Sequence, residues 1–450
     1  MSWPLSLPPL PVQSEALKHS NGHTGYAYFV EPGMGKTAII MAEFSNLAAS
    51  NKVNLLLVIC PNTLRANWAA EAEKFGFAYE VAVYPDPPPR FGMWVVNYER
   101  LVTKTYSEIF KAVRSNNTMI VCDESHRIKN PKAKSTKAAI ALYDQARYKR
   151  VMTGTPMANN VIDLWPQLRA IGHNGSHRTP FTWRNRYGVM GGWMGKVVVG
   201  VQREEELKAI IDGCAFQAKK ADWLKTLPPK AYYTLQYDML KAQKDAYKKI
   251  YTDRFLEVDN SEITASIVIT ALMKMQQITS GFMMDDEGKV VYLVEPYANP
   301  KINAVKEAVS EIEGKIILFA HYRETIRLLQ NSGIGKYVTI IGGMNKDDIS
   351  KAVNDFNNDD SVRFLIAQTA TAKEGITLLG NANIPCYTTV FVENTYSLID
   401  RTQAEDRNHR HGQVAEQVSY YDLVGSKLEA KIIKALQGKK DLVKSVMEGV

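Results

Sequence analysis

Short runs of β-branched and aromatic residues alternate with helical stretches along this 450-residue chain. That alternation restricts the possible folds more than any other feature. In the first half the runs are GYAYFV (25–30), NLLLVIC (54–60), MWVVNY (93–98), TMIVCDE (118–124) and YKRVMTG (148–154). In the second half they are KIILFA (315–320), YVTIIG (337–342), RFLIAQT (363–369), TVFVE (389–393) and VSYYDLV (418–424). Helical stretches such as TAIIMAEFSNLAAS and YRETIRLLQN lie between them. Strands separated by helices build parallel sheets covered on both faces. The expected fold class is α/β, with two parallel-sheet lobes. The middle, about 160 to 300, reads as mainly helical, with a Gly-rich break at GVMGGWMGKVVVG. The lobes are expected at 1–228 and 301–450, with a helical protrusion and linker at 229–300.

Ligands of such sheets gather at the carboxyl ends of the strands. Unusual polar segments stand at those ends here: PGMGKT after the first strand, CPNT after the second, DESH after the fourth and TGTP after the fifth. In EPGMGKT, Gly33 and Gly35 let backbone amides curl toward phosphate oxygens, and the following helix adds its positive end. Lys36 suits the β- and γ-phosphates, and Thr37 suits Mg²⁺. The pattern G-x-x-x-x-G-K-[ST] fails at its first position, where Val30 stands. A Gly-Met-Gly turn that merely caps a helix is the plainer alternative.

MIVCDESH weighs against that alternative. It ends an apolar strand in two carboxylates, with Asp123 placed to hold Mg²⁺ through water and Glu124 to orient and deprotonate an attacking water. Further on, RNHRHGQ (407–413) carries Arg407 and Arg410, three apart, which on a helix face one way. Their planar guanidinium groups suit the spread charge of a transferring γ-phosphoryl group. On a separate lobe they would complete the site only on closure. A basic solvated helix is the alternative.

Bulk properties agree. A net charge of +8 and a pI of about 9.0 favour a polyanionic partner. Cys60, Cys122, Cys214 and Cys386 are far apart and form no C-x-x-C pair, so neither a disulfide framework nor a zinc site is expected. A reducing, intracellular and cytoplasmic setting fits. MSWPLSLPPLPVQ lacks the features of a signal peptide, and NLLLVIC is too short to span a bilayer, so no membrane partner is expected.

In order along nearly the whole chain, these motifs resemble the Swi2/Snf2 family of superfamily 2 helicase-like ATPases. PVQSEAL, EPGMGKT, LLVICPNTLRANWAAEAEKF, DESHRIKN, TGTPMANNVIDLW and LPPK carry the resemblance in the first part. IILFAHY, TAKEGITL, QAEDRNHRHGQ and the closing SKLEAKIIKALQGKKDLVKSVMEG carry it in the second. The family's own loop also lacks the first glycine. DESH, AKEGIT and the step from VFVE to QAEDR are most similar to the annealing-helicase branch. No targeting-domain signature flanks the motifs, which suits a compact phage or bacterial member.

The resemblance implies two RecA-like lobes with helical insertions between them, ATP and Mg²⁺ as cofactors, and a motor working on double-stranded DNA as a single chain. It sets Gln13 on the adenine side, and Gly375 with Gly33, Gly35, Lys36 and Thr37 around the nucleotide. By motif position, Asn62, Thr63 and Trp68 in the first lobe and Thr369 and Lys373 in the second are candidate DNA contacts; Trp68 has an equally good reading as core. Departures are QAKKADW before LPPK, Tyr396-Ser397-Leu398 for W-N-P, and Met344-Asn345 for a Ser-Thr pair. A strand-separating helicase on DNA or RNA would share the same ATP site. A nucleic-acid-binding module with a dead nucleotide site is the non-enzymatic alternative, against which the full set of site residues counts.

Overall fold

Each run read above as a strand is a strand in the computed structural model, with ends shifted by no more than about three residues. The structure describes residues 2–173, 179–191, 197–224, 227–255, 265–285, 287–372 and 376–448. They divide into two units, one comprising Met1–Lys225 with Lys439–Val450, the other Thr226–Gly438.

In the first unit the strands are β1 (Gly25–Val30), β2 (Leu55–Cys60), β3 (Glu80–Val83), β4 (Gly92–Asn97), β5 (Thr118–Asp123) and β6 (Tyr148–Met152). A hairpin follows, β7 (Gly188–Gly191) with β8 (Val197–Val201), and then β9 (Ala215–Ala218). Seven of these form one parallel sheet in the order β3-β4-β2-β5-β6-β1-β9. β2, β4 and β5 are buried along their whole length because both faces are covered. Leu55, Leu57 and Ile59 of β2 pack into one hydrophobic core, while Leu56, Val58 and Cys60 pack into the other.

This order brings the four polar segments onto four adjacent strands, β2, β5, β6 and β1. The helix after the glycine loop, Lys36–Ala49, is pinned to the sheet from within. Its Glu43 receives Arg150 of β6 through Nε, at 2.9 and 3.1 Å, and the Tyr28 hydroxyl of β1 at 2.8 Å. Arg150 also donates to the carbonyls of Thr24 and His23, so the buried charges are paired and saturated.

The second unit contains β10 (Lys230–Gln236), the hairpin β11 (Phe282–Met284) with β12 (Val290–Tyr292), and β13 (Lys315–Ala320), β14 (Tyr337–Ile340), β15 (Phe364–Gln368), β16 (Cys386–Phe391) and β17 (Val418–Val424). Its parallel sheet runs β10-β17-β16-β13-β15-β14.

The middle is less helical than its sequence suggests. KAYYTLQ at β10 is an edge strand whose tyrosines stack on those of β17, Tyr232 on Tyr420 and Tyr233 on Tyr421, with centroids 5.4 and 4.9 Å apart. The described ends of the Gly-rich break pair antiparallel as β7 and β8, where valines favour strand. All four cysteines are buried free thiols. Among the described residues no helix is long and apolar enough to cross a membrane.

Candidate active site

Gly33 and Gly35 hold positive φ, +83° and +74°, as the loop requires. Gly35 caps the helix Lys36–Ala49, and a Cβ there would overlap the Gln13 side-chain amide. Gln13 is buried and bridges two places: its Nε2 donates to the Gly35 carbonyl at 3.2 Å, while its Oε1 accepts from the Leu10 amide at 2.7 Å. Lys36 Nζ donates to the Val30 carbonyl at 2.9 Å. Thr37 is half-buried in the first helical turn.

The acid pair lies at the end of β5. Asp123 Oδ1 accepts the Glu124 amide at 2.9 Å, and Oδ2 accepts the indole N–H of Trp68 at 3.0 Å. Glu124 occupies the left-handed region, φ 51° and ψ 53°, at an order-of-magnitude cost of about 1 kcal/mol for a non-glycine residue. The register Asp123↔Met152 between β5 and β6 sets Glu124 beside Thr153. The Thr153 hydroxyl donates to Glu124 Oε2 at 3.2 Å, and His126 Nδ1 lies 3.3 Å from the same oxygen and 3.0 Å from the hydroxyl. Thr153 in turn accepts the Thr155 amide at 3.1 Å.

Electrostatics separates the two acids. Burial, then the charge of Glu124, pushes the Asp123 carboxyl above the usual carboxylate range against the pull of Lys36 and Trp68. Burial would raise Glu124 also, but the hydrogen bond and charge of His126, the Lys36 ammonium and the Thr153 hydroxyl outweigh it and hold Glu124 low. Lys36 thus acts on both carboxylates. Two carboxylates under the influence of one ammonium, Asp123 buried and Glu124 partly so, are a donor set of the kind that suits a divalent cation.

In the second unit the helix Leu398–Glu405 ends before the arginine motif, so Arg407 and Arg410 lie in the turns beyond it rather than on a helix. The sequence there, Asn-His-Arg-His-Gly, is poor in helix formers. The two side chains nonetheless converge: Arg407 Nη1 and Arg410 Nη1 donate to the Ile376 carbonyl at 2.9 and 3.0 Å. Arg407 is 5% exposed and also donates through Nε to the Gln403 carbonyl at 2.8 Å. Arg410 is the more accessible of the pair. His409 Nε2 sits 2.9 Å from the Pro228 carbonyl of the LPPK segment.

The candidate DNA contacts separate. Asn62 and Thr63 are exposed on the short turn Asn62–Leu64 after β2. Trp68 is core instead of surface: it is 2% exposed, and its one polar edge is taken by Asp123. Thr369 is buried too, its hydroxyl donating to the Ala320 carbonyl at 3.3 Å. Lys373 and Gly375 lie outside the described residues. Of the departures, Asn345 caps the helix Lys346–Asn358 through the Asp348 amide, and Ser397 caps Leu398–Glu405 through the Asp400 amide. Sequence reading assigned no part to His126 or Thr153, although DESH and TGTP contain them. Pairing of β5 with β6 was the signal that joins them to Glu124.

A glycine loop and acid pair at the strand ends of one parallel sheet, with a second parallel sheet in the other unit, define a two-sheet α/β class. Residues 18–283 match the SNF2-related domain, and residues 300–412 match the helicase conserved C-terminal domain. The chain belongs to the SNF2-related family. It is 25% identical to the SWI/SNF chromatin-remodeling complex subunit snf22 of Schizosaccharomyces pombe, over 93% of this chain and 26% of that one. It is 24% identical to the DNA annealing helicase and endonuclease ZRANB3 of Mus musculus, over 93% of this chain and 39% of that one. The chain therefore spans between about a quarter and two fifths of these relatives. Among solved structures, the Sulfolobus solfataricus SWI2/SNF2 ATPase core in complex with dsDNA is similar at 23% identity and a TM-score of 0.46, covering 99% of this chain and 94% of that one.

Proposed function

We propose that this chain is an ATP-driven motor on double-stranded DNA, hydrolysing ATP to move along the duplex. The observation that carries the reading is the cluster of Lys36, Asp123 and Glu124, in which a loop lysine acts on two carboxylates of opposite tendency. Glu124, kept ionised, is suited to accept a proton from an attacking water; Asp123 is suited to a cation. Asp123 and Thr37 would hold Mg²⁺, which when bound offsets phosphate charge. Gly33, Gly35 and the first turn of Lys36–Ala49 supply amides to the phosphates, and Lys36 exchanges the Val30 carbonyl for a phosphate oxygen.

Arg410 of the second unit is the residue we assign to the charge developing on the transferred group, with Arg407 holding the local backbone. Duplex DNA as partner is supported by family membership, by the basic pI of about 9.0, and by relatives named for chromatin remodelling and DNA annealing. Asn62 and Thr63 are the contacts we propose on the first unit. We infer a single working chain in an intracellular compartment, which suits four buried free thiols. A triplex-displacement assay tests movement: the chain releases the third strand only with ATP, and Glu124→Gln releases none. Release without ATP, or undiminished release by Glu124→Gln, refutes the reading.

A further inference from the structure

The Asp123 carboxylate is fixed from two directions. One oxygen is held by the next backbone amide, that of Glu124, at 2.9 Å. The other is held at 3.0 Å by Trp68, which belongs to a different element, the helix Arg65–Lys74. That helix continues without a break from the turn Asn62–Leu64, whose Asn62 and Thr63 side chains are exposed. Trp68 stands six residue steps along helical backbone from Asn62, a stiff span of roughly 10 Å. The indole lies in the core with Leu56, Val58 and Ala72, where close packing transmits a shift instead of absorbing it.

We propose that Trp68 is a positioning residue that carries contact at the exposed turn Asn62–Leu64 to the Asp123 carboxylate. The proposal rests on the duplex reading of that turn. A charge-assisted hydrogen bond is directional, so a small movement of the helix re-aims Oδ2. Backbone phosphates bound at Asn62 and Thr63 thereby set the carboxylate that would hold the metal. The choice of tryptophan follows: phenylalanine keeps an aromatic ring in the core, though a smaller one, and has no N–H to offer.

The test uses the full chain with nitrogen-15-labelled tryptophan. Of the seven tryptophans, the indole signal missing in Trp68→Phe belongs to Trp68. In the unsubstituted chain that signal moves on adding Mg²⁺ with ADP, and again on adding a short duplex; a signal unmoved by either overturns the proposal. In kinetics, Trp68→Phe raises the half-saturating Mg²⁺ about tenfold and lowers duplex stimulation of kcat about tenfold, with the KM for ATP and the Kd for duplex within about twofold. Unchanged Mg²⁺ dependence and stimulation overturn it. Should Trp68→Phe not fold, Asp123→Asn identifies the same signal by displacing it, and indole signals all left in place would again overturn the proposal. Failure of the duplex reading looks different: the unsubstituted chain itself gains no rate from duplex, and the coupling falls with it.

Discussion

Lys36 reaches back across its own loop and donates its ammonium to the Val30 carbonyl at 2.9 Å. Val30 is the last residue of β1 and pairs with Ala218 of β9, so the chain is still in the sheet there. Positive φ begins only at Gly33 and recurs at Gly35. A valine can therefore stand where the commoner loop has glycine, since nothing at that position calls for a left-handed backbone.

In the proposed site, removing the Lys36 ammonium would leave phosphate charge uncompensated. Lys36→Ala is expected to lower ATP turnover by about a hundredfold or more while the fold survives. Steady-state phosphate release checks the rate, and a thermal melt checks the fold. Turnover near the unsubstituted value takes Lys36 out of the site.

Glu124 and Thr153 are expected to differ in degree. Glu124→Gln keeps nucleotide binding and loses turnover by about 10²- to 10⁴-fold, the range for a general base. Thr153→Val removes a hydroxyl 3.2 Å from Glu124 and lowers turnover about tenfold. Fluorescent-nucleotide binding beside single-turnover hydrolysis separates the two effects.

The arginines are expected to divide their work. Arg407 is buried on two backbone carbonyls, so Arg407→Ala costs the second unit about 2 kcal/mol of stability. Arg410→Ala costs under about 1 kcal/mol and cuts hydrolysis far more than ATP binding. Urea unfolding and single-turnover hydrolysis of each variant check this. Equal loss of binding and hydrolysis in Arg410→Ala contradicts its role.

Glu429 lies 2.8 Å from Lys301 in the second unit and accepts from Tyr237 and the Gly425 amide. Burial alone would raise its pKa, but Lys301, then the Gly425 amide and the Thr279 hydroxyl, bring it below the ordinary carboxylate value. The unfolded chain then takes up the proton first as pH falls. The stabilisation is whole above the ordinary carboxylate pKa of about 4.3 and is lost as pH drops through the lower folded value. Glu429→Gln is expected to be clearly less stable at neutral pH, with the gap narrowing in acid. Urea midpoints at several pH values measure it.

How far the sequence discloses all this depends on the range of the interaction. Strand-forming runs such as LLLVIC are local, and so are the polar motifs at four strand ends, the places where ligands of such sheets gather. β9 is only four residues long, and β10 is a half-exposed edge strand, so neither shows the unbroken apolar run of a buried strand. Lys36, Asp123 and Glu124 were legible as types at a spacing. Thr153 and His126 were not, because only the pairing of β5 with β6 brings them to Glu124. Trp68 shows the same limit: an indole near a strand end suits a surface contact or a core, and only its partner, Asp123, decides between them.

We propose that ATP turnover by this chain serves movement on a duplex. Its most direct measurement is the ATP hydrolysis rate of the purified chain with no nucleic acid, duplex DNA, single-stranded DNA and RNA, each at several salt concentrations, with Glu124→Gln as blank. Duplex is expected to stimulate most, and this stimulation to fall steeply and linearly on a logarithmic salt scale. A chain equally inert toward ATP with all of them, or one driven best by RNA or single strands, would contradict it.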